Sequence, residues 1–376
     1  MRVGLLFDHI DVEEKLFFDS GHSIEKINSS EIALKLSEVK RYDIVINRAE
    51  SKYRRRKLAK IFEGYGCEVI NNYSVEEVCG SKFETKMALS LQNVPTTEAA
   101  FKFGFPFAKI GDKYVKQATE IRRLKKLIAE LKPCISKPDL GSRGKSIVLI
   151  NDEAEFDYKI NEYERAQRIP EAFKPTLLSP EGVLLEKYQP HALDLRVVVY
   201  KTYKGPEKVF GSLVRAAPSE DIIAKNTSLG GIPIGLETTH PIRNLVLKCM
   251  RALGKYINRV YARKLEYYLV GVDVLPANLS LDDRNEIYNS LRGLAKYMEE
   301  IRKAKKKRGL AEIDKAFKKY RESREYITAQ EKCLEYLDRS RLLITEVNST
   351  PDFGINTRNL VGNLVTGYDE IISSLS

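Results

Sequence analysis

The chain of 376 residues is long enough for two or three domains, with cores large enough to need no disulfide or metal for stability. Hydrophobic residues make up 43% and charged residues 31%, a balance that is typical of globular proteins and excludes a disordered or fibrous chain. The formal net charge of +11 suits an anionic substrate, an acidic protein or nucleic acid, and does not choose among them.

The five cysteines and four histidines are dispersed along the chain. No Cys-x-x-Cys spacing occurs, which argues against a disulfide framework and against a zinc site. The first residues have too short an apolar run for a signal peptide, and no stretch approaches the length of a membrane-spanning helix. We therefore expect a protein of the reducing cytoplasm that does not contact a membrane.

The N-terminal part alternates predicted strands and helices. Apolar runs at 3–7, 42–48 and 67–71 indicate strands, and residues 52–64 have helical spacing. This order predicts a parallel sheet covered on both faces. Ligands of such sheets lie beyond the carboxyl ends of the strands, so Arg48 is a candidate at the mouth of a crevice. A surface arginine in a loop is an equally good interpretation.

A glycine-rich turn follows two predicted helices. The first helix begins with Ser74 as N-cap and continues to Leu91, and the second spans 120–131. Residues 134–150 then read as strand, turn and strand, with Gly141 in the turn. Glycines there let the backbone amides approach a phosphate closely, although the segment lacks the Walker A pattern. Taken alone, it would more often be an ordinary hairpin.

Three further strands are predicted, at 183–188, 193–200 and 210–215. The second alternates, and its polar face carries Asp194 and Arg196. The third ends in Arg215, and a flexible polar stretch at 226–231 follows it. Residues 241–264 have the apolar period of a helix.

Two more strands carry candidate metal ligands. Residues 342–347 read as a strand in which Glu346 and Asn348 point to one face while Val347 points to the core. Asp273 lies between two valines of another predicted strand and is the candidate third ligand. Carboxylate and amide oxygens suit Mg²⁺ or Mn²⁺, bound together with nucleotide phosphates. The alternative is that these groups only solvate the end of an edge strand.

Residues 278–340 interrupt these two strands. Their apolar positions recur at helical spacing on either side of Gly309, which predicts a long helical hairpin. The basic run 302–308 lies near its tip. A solvated helix end is the default interpretation of such a run, and a docking surface for an acidic protein or nucleic acid is the minority one.

Together the motifs resemble the ATP-grasp superfamily and, within it, the RimK-like ligases, closest to the LysX group of amino-acid biosynthesis, which acts on an amino-acid carrier protein. Residues 8–15 resemble that group's opening Asp-Arg-Ile-x-x-Glu-Glu-Lys, and 69–72 with 78–82 resemble its inter-domain segment. The following motifs then occur in family order: Lys137-Pro138, the glycine-rich turn, the Asp194 and Arg196 strand, the 226–231 stretch, and Asp273 with Glu346 and Asn348. The resemblance covers nearly the whole chain except 278–340.

The resemblance implies an α/β protein with the α+β ATP-grasp fold. An N-terminal parallel-sheet domain would span 1–79, a central lid domain 80–185, and a C-terminal antiparallel-sheet domain 186–376, the last two gripping ATP. The helical insertion at 278–340 is foreign to the compact members of the family. The resemblance also implies assembly into a homo-oligomer.

The resemblance also assigns roles to residues. Nucleotide binding falls to Lys82, Lys137, Gly141, Ser142, Gly144, Glu186, Lys187, Tyr188 and Asp194. Arg196 and Arg215 would be catalytic residues that meet phosphate or substrate carboxylate. Two Mg²⁺ or Mn²⁺ ions would be bound by Asp273, Glu346 and Asn348, and substrate by Arg48, Asn226, Thr227, Gly230 and Gly231. Leu229 departs from the arginine of the family's Ala-Arg-Gly-Gly motif, which affects substrate choice more than nucleotide chemistry.

The predicted activity is ATP-dependent ligation of a carboxylate to an amine through an acyl phosphate, which needs no protein nucleophile. The acyl donor could be the C-terminal glutamate of a small acidic carrier protein and the acceptor an amino acid. One alternative is a ligase that adds glutamate or another amino acid to a small metabolite or cofactor. From another class, the chain could be a nucleotide-binding regulatory module or a nucleic-acid-binding protein. A module without turnover would be expected to have lost Asp273, Glu346 or Lys137, and no nucleic-acid-binding motif is recognised.

Overall fold

The computed structural model describes residues 1–8, 16–19, 21–31, 39, 41–141, 146–219, 230–307, 309–351 and 355–375. Four predicted site residues lie outside these ranges: Ser142, Gly144, Asn226 and Thr227. Most of the motif at 8–15 lies outside them as well.

The strands in chain order are β1 (Val3–Phe7), β2 (Ile24–Asn28), β3 (Ile44–Asn47), β4 (Glu68–Ile70), β5 (Ala99–Phe103), β6 (Phe107–Ile110), β7 (Lys113–Lys116), β8 (Cys134–Lys137), β9 (Val148–Ile150), β10 (Gly182–Lys187), β11 (Leu193–Lys201), β12 (Glu207–Ala216), β13 (Ile232–Leu236), β14 (Tyr268–Ala277) and β15 (Arg341–Asn348). The helices are α1 (Lys52–Gly64), α2 (Tyr73–Gly80), α3 (Lys82–Leu91), α4 (Ala118–Leu131), α5 (Glu153–Ala166), α6 (His240–Tyr261), α7 (Leu281–Leu291), α8 (Ala295–Lys307), α9 (Leu310–Arg321), α10 (Arg324–Arg339), α11 (Ile355–Leu360) and α12 (Val365–Leu375). In the part of the chain that is described, no helix combines the length and apolarity needed to cross a membrane.

The N-terminal sheet is parallel, in the order β2-β1-β3-β4, which confirms the predicted parallel sheet. Its central strands β1 and β3 are buried along their whole length, as strands covered on both faces must be. The edge strand β2 was not predicted. Ile27 is its one fully buried residue, and the exposed Glu25 and Lys26 hide the apolar pattern.

Two larger antiparallel sheets follow, besides the two-stranded antiparallel sheet of β6 and β7. The first has the order β5-β10-β8-β9, and the second has the order β13-β12-β11-β14-β15. The glycine-rich turn joins β8 to β9, while the predicted catalytic arginines and metal ligands lie on the second sheet. The predicted α/β class is confirmed. How the chain divides into domains stays a prediction.

The predicted helix from Ser74 to Leu91 is wrong in two respects. It is two helices, because Ser81 adopts an extended backbone that ends α2 and caps α3 through a hydrogen bond from Glu84 N (3.0 Å). The N-cap of α2 is Asn72 and not Ser74, since the Asn72 side chain accepts from Val75 N at 3.0 Å. The break makes Lys82 the first residue of a helix that begins beside the glycine-rich turn.

The predicted hairpin at 278–340 is incomplete. Helices α8 and α9 form the expected pair around Gly309, but α7 and α10 flank it, and α10 packs on α7. The additional breaks fall at Gly293, within a short 3-10 turn, and at Ser323, which caps α10. Apolar spacing alone did not resolve them because each helix continues the same buried stripe.

The basic run at the end of α8 is only partly exposed to solvent. Arg302, Lys303 and Lys306 are exposed, whereas Lys305 donates to Asn356 Oδ1 at 3.1 Å. Arg308 and the side chain of Lys307 lie outside the described residues. A docking role for this run stays a prediction.

The insertion covers the edge of the second sheet. Tyr320 Oη donates to Pro233 O (2.8 Å), and Gln330 donates to Gly235 O (2.6 Å). Tyr326 Oη accepts from Gly235 N at 2.9 Å. Side chains therefore satisfy backbone groups of β13 that an uncovered edge would offer to another strand.

Replacing Tyr326 with phenylalanine is expected to lower the free energy of unfolding by about 1–3 kcal/mol, because the buried Gly235 N–H loses its acceptor. Denaturant unfolding of the variant and the wild type measures the difference. Tyr158→Phe is the control, since that exposed hydroxyl bonds only to Glu162 on the same helix. Equal destabilisation by the two substitutions would contradict a role in covering the edge.

Candidate active site

The predicted metal ligands meet on two neighbouring strands. Asp273 of β14 lies opposite Glu346 of β15 in the strand register. The Asn348 amide nitrogen donates to Glu346 Oε1 at 3.1 Å and to Asp273 Oδ2 at 3.3 Å. Val272 and Val347 are buried on the opposite face, as the alternating pattern predicts. The structure thus brings these three polar side chains together.

This donor set fits a hard divalent cation. In the described residues no three His, Cys, Asp or Glu side chains cluster as a metal site. The set therefore consists of two carboxylates and one amide, with the Asn348 NH₂ group between Asp273 and Glu346. Mg²⁺ is commonly held by one or two carboxylates together with phosphate oxygens, so Asp273, Glu346 and Asn348 stay predicted metal ligands.

The two predicted catalytic arginines lie beside the metal ligands. Arg196 on β11 binds Asp273 with both ends of its guanidinium, Nε to Oδ1 at 2.7 Å and Nη2 to Oδ2 at 2.8 Å. Arg215 on β12 bonds Asp194 Oδ1 at 2.5 Å and lies 3.2 Å from Asp273 Oδ2. Burial raises the pKa of Asp194, although the charge of Arg215 opposes the shift. The arginines therefore offset carboxylates that would otherwise repel a polyphosphate.

Lys137 and Lys86 bind one buried carboxylate. Both pair with Glu186 at the end of β10, Lys86 at 3.0 Å, and Thr97 donates to the same carboxylate. Burial opposes the charge of Lys137, but Glu186 and Glu346 together raise its pKa. The Glu186 carboxylate thus binds two ammonium groups, and its role in nucleotide binding stays a prediction.

Lys82 is held by the glycine-rich turn. Its ammonium donates to the carbonyl oxygens of Pro138 (3.1 Å), Asp139 (3.1 Å) and Gly141 (2.6 Å), and lies 4.0 Å from Glu346 Oε2. The Asp139 carboxylate accepts from the backbone N–H of Phe83 at 2.8 Å. The turn and the start of α3 are therefore fastened to each other beside the metal ligands.

The chain matches models of two known protein domain families. A family model described as the LysX preATP-grasp domain matches residues 3–78, and a model described as YheC/D like ATP-grasp matches residues 114–268. The chain belongs to the ATP-grasp superfamily. It is a LysX-like ATP-dependent carboxylate–amine ligase, and ligases of this superfamily use ATP and a divalent metal ion.

Named relatives agree with the family. Glutamate--LysW ligase ArgX of Sulfolobus acidocaldarius is 27% identical over 262 residues, which are 68% of this chain and 82% of the relative. Alpha-aminoadipate--LysW ligase LysX of the same organism is 25% identical over 260 residues, 69% of this chain and 78% of that protein. The solved structure of D-cycloserine synthetase DcsG covers all of both chains with a TM-score of 0.59 at 9% identity, a likeness of fold alone.

The predicted substrate-binding residues that the structure describes are Arg48, Gly230 and Gly231. Arg48 follows β3, and its Nη1 donates to Pro351 O at 3.3 Å. Gly230 and Gly231 directly precede β13, on which Pro233 lies opposite Arg215. These residues stay predicted substrate-binding residues.

Lys187 and Tyr188 follow Glu186 where the chain passes from β10 to β11. Lys187 is partly exposed and pairs with Glu98 at 3.3 Å. The Tyr188 backbone N–H donates to Pro133 O at 2.8 Å. Both stay predicted nucleotide-binding residues of the ATP-grasp ligase.

Sequence reasoning missed two buried lysines. Lys86 lies four residues after Lys82, so both ammonium groups project from one face of α3, and this spacing was a usable signal. Lys52 lies on α1, where its ammonium donates to Gly80 O at 3.1 Å. No local pattern marks Lys52, because its partner is far away in sequence.

The buried Glu186 makes stability depend on pH. Burial opposes its ionisation, but Lys137 and Lys86 lower the pKa of Glu186 from 4.5 to about 2. A lowered pKa stabilises the folded state above pH 4.5, and this contribution is lost as the pH falls toward 2. We expect the wild type to lose about 3 kcal/mol more unfolding free energy than Glu186→Gln across that window. Denaturant unfolding at several pH values checks this, and parallel pH curves would contradict it.

Proposed function

We propose that this ATP-grasp ligase joins an amino acid to the C-terminal glutamate of a small acidic carrier protein. Two relatives that it matches over most of their length are named as ligases that join glutamate or alpha-aminoadipate to LysW. The observation that carries the proposal is a group of cations around Asp273, Glu346 and Glu186: Lys82, Lys86, Lys137 and Arg215 are buried, and Arg196 is mostly buried. Such a group suits a triphosphate and an activated carboxylate.

The chemistry proceeds in two displacements. An oxygen of the substrate carboxylate attacks the γ-phosphorus of ATP, the bond to the bridging oxygen breaks, and ADP leaves with the electron pair. The amine nitrogen then attacks the acyl carbon of the acyl phosphate to give a tetrahedral intermediate. Collapse of this intermediate breaks the C–O bond, releases phosphate, and leaves the amide once the nitrogen has lost a proton.

The chain's own groups position and neutralise these anions. Lys137 and Lys82 would bind the nucleotide phosphates, and Arg215 would meet the transferred phosphoryl or the substrate carboxylate. Two Mg²⁺ or Mn²⁺ ions would be held by Asp273, Glu346 and Asn348 and would neutralise charge on the phosphate oxygens. Phosphoryl transfer needs mainly positioning and charge neutralisation, so no protein nucleophile is required.

The positive charge of the chain supports an acidic protein as acyl donor. The net charge of +11 would attract a protein rich in carboxylates and raise its rate of encounter at low salt. A small metabolite would gain less from charge distributed over a whole surface. The carrier is therefore preferred to the metabolite.

The decisive test measures ADP release from Mg²⁺-ATP. The substrates are a LysW-type carrier protein ending in glutamate, crossed with a panel that includes glutamate and alpha-aminoadipate. We expect ADP only when a carrier and an amino acid are both present, with an equal amount of carrier increased in mass by one residue. A carrier that lacks its terminal glutamate is the matched control.

Three other results would contradict the proposal in different ways. ADP formed with a glutamyl metabolite in place of the carrier would favour the small-metabolite ligase. Tight ATP binding without release under any pairing would favour a regulatory module. Binding of DNA or RNA that persists at moderate salt would favour nucleic-acid recognition.

A further inference from the structure

Helix α1, which follows strand β3 of the N-terminal sheet, carries two cations on its buried face. Lys52 and Arg55 are one turn apart, with relative exposures of 8% and 6%. Both face α2, the helix that leads to Ser81 and Lys82. A buried lysine or arginine is uncommon unless it is paired, so each needs an explanation.

Arg55 has a structural explanation. Its Nε bonds Glu76 Oε2 at 3.2 Å, and its Nη1 donates to Ala49 O at 2.7 Å. The same Glu76 oxygen accepts from Ser349 Oγ at 2.7 Å, one residue after Asn348. Arg55 therefore has a structural role, because through Glu76 it links helix α1 to the end of β15.

Lys52 differs from Arg55. Within the described ranges, Gly80 O at 3.1 Å is the one hydrogen-bond acceptor and no carboxylate forms an ion pair with it. An ammonium has three donors, and one backbone carbonyl uses only one of them. Burial, reinforced by the charge of Lys82, lowers the pKa of Lys52 to about 7. Among the described residues, Lys52 is thus a buried amine that bonds one backbone carbonyl and forms no ion pair.

The position of this cation indicates its ligand. Gly80 is two residues before Lys82, whose ammonium is 4.0 Å from Glu346. The Lys52 ammonium bonds Gly80 O at 3.1 Å, at the carboxyl end of α2. Lys137, in contrast, pairs with Glu186. Lys52 therefore lies next to the start of the helix that carries Lys82, on the side of the N-terminal sheet.

We propose that Lys52 contacts the phosphoryl group as it passes from ATP to the substrate carboxylate. The inference rests on the proposed ligase function. It adds the Lys52 side chain, from helix α1 beside the N-terminal sheet, to the site. The transferred group carries negative charge on its equatorial oxygens, which would accept the donors that Gly80 leaves unused. A purely structural alternative is that Lys52 only caps the carboxyl end of α2.

The test measures binding of MgADP with and without fluoroaluminate, an anion that takes the place of the transferred phosphoryl. Wild-type protein is expected to bind MgADP more tightly when fluoroaluminate is present. Lys52→Met is expected to lose about 10-fold or more of that enhancement, while its affinity for MgADP alone stays within about twofold. Lys52→Arg should restore part of the enhancement, and Lys57→Met, an exposed lysine on the same helix, should bind as the wild type does.

The outcomes separate the ligand role from the cap. Equal enhancement in Lys52→Met and the wild type would overturn the proposal. So would an equal loss of affinity with and without fluoroaluminate, together with a lower unfolding temperature, which is the result expected of a cap. If Lys52→Met does not fold, Lys52→Gln, which keeps a donor for Gly80 O, gives the same comparison. Wild-type protein that binds no MgADP would overturn both this inference and the ligase function.

Discussion

Replacing Glu346 with alanine is expected to lower kcat/KM for ligation by about 10³-fold or more while the protein stays folded. Glu346 is one of the two carboxylates that face each other across β14 and β15. Burial opposes its ionisation, yet Lys82, Lys52 and Lys137 lower its pKa well below the ordinary value, so it is a carboxylate at neutral pH. Its loss removes a predicted metal ligand and leaves three neighbouring lysines without this anion.

The measurement is kcat/KM over a range of Mg²⁺ concentrations, with circular dichroism to verify folding. Glu346→Gln keeps the shape of the side chain and removes only the charge, so it should be impaired nearly as much. Glu335→Ala on α10 is the control, because that exposed glutamate pairs only with neighbouring side chains of the same helix. Activity retained in Glu346→Ala with unchanged metal dependence would refute the metal assignment.

The sequence carried most of the information for the buried strands. Continuous apolar runs marked β1 and β3, and alternation placed Glu346 and Asn348 on one face. The contact between Asp273 and Glu346 could not be predicted from strand patterns alone, since the insertion separates their strands. The family resemblance supplied that pairing, and the register of β14 with β15 shows it directly.

Other features depend on contacts that no local pattern reveals. Strand β2 is mostly polar along its length, and the Ser81 break inside 74–91 depends on the hydroxyl capping Glu84 N. Lys52 and Lys86 read as ordinary surface lysines until the chain places Gly80 and Glu186 beside them. Long-range partners, and not propensity, make these lysines part of the site.

The distribution of charge explains why the candidate site is divided among several elements. If a single helix carried all of these cations, they would repel one another at close range. Burial would increase the free-energy cost of this repulsion. Here Lys86 of α3 and Lys137 of β8 share Glu186, and Arg196 of β11 and Arg215 of β12 share Asp273. Correct packing of the sheets is therefore required before the cations can gather around one polyphosphate.

Lys137→Met is expected to weaken binding of MgATP by about 30- to 100-fold, which corresponds to about 2–3 kcal/mol. The substitution removes a charge-assisted contact to phosphate, and it also leaves Glu186 with Lys86 as its one remaining cation in the described part of the site. The pKa of Glu186 should therefore rise from about 2 toward its ordinary value. Equilibrium titration with MgATP measures the first effect.

Two comparisons show whether the loss belongs to phosphate binding. Lys132→Met removes an exposed lysine just before β8 that pairs with Glu153, so MgATP should bind this variant as it binds the wild type. Adenosine carries no phosphate, and its affinity should be equal in Lys137→Met and the wild type. If adenosine binding also weakens 30- to 100-fold, about 2–3 kcal/mol, Lys137 acts by holding Glu186 in place, and the phosphate contact is refuted.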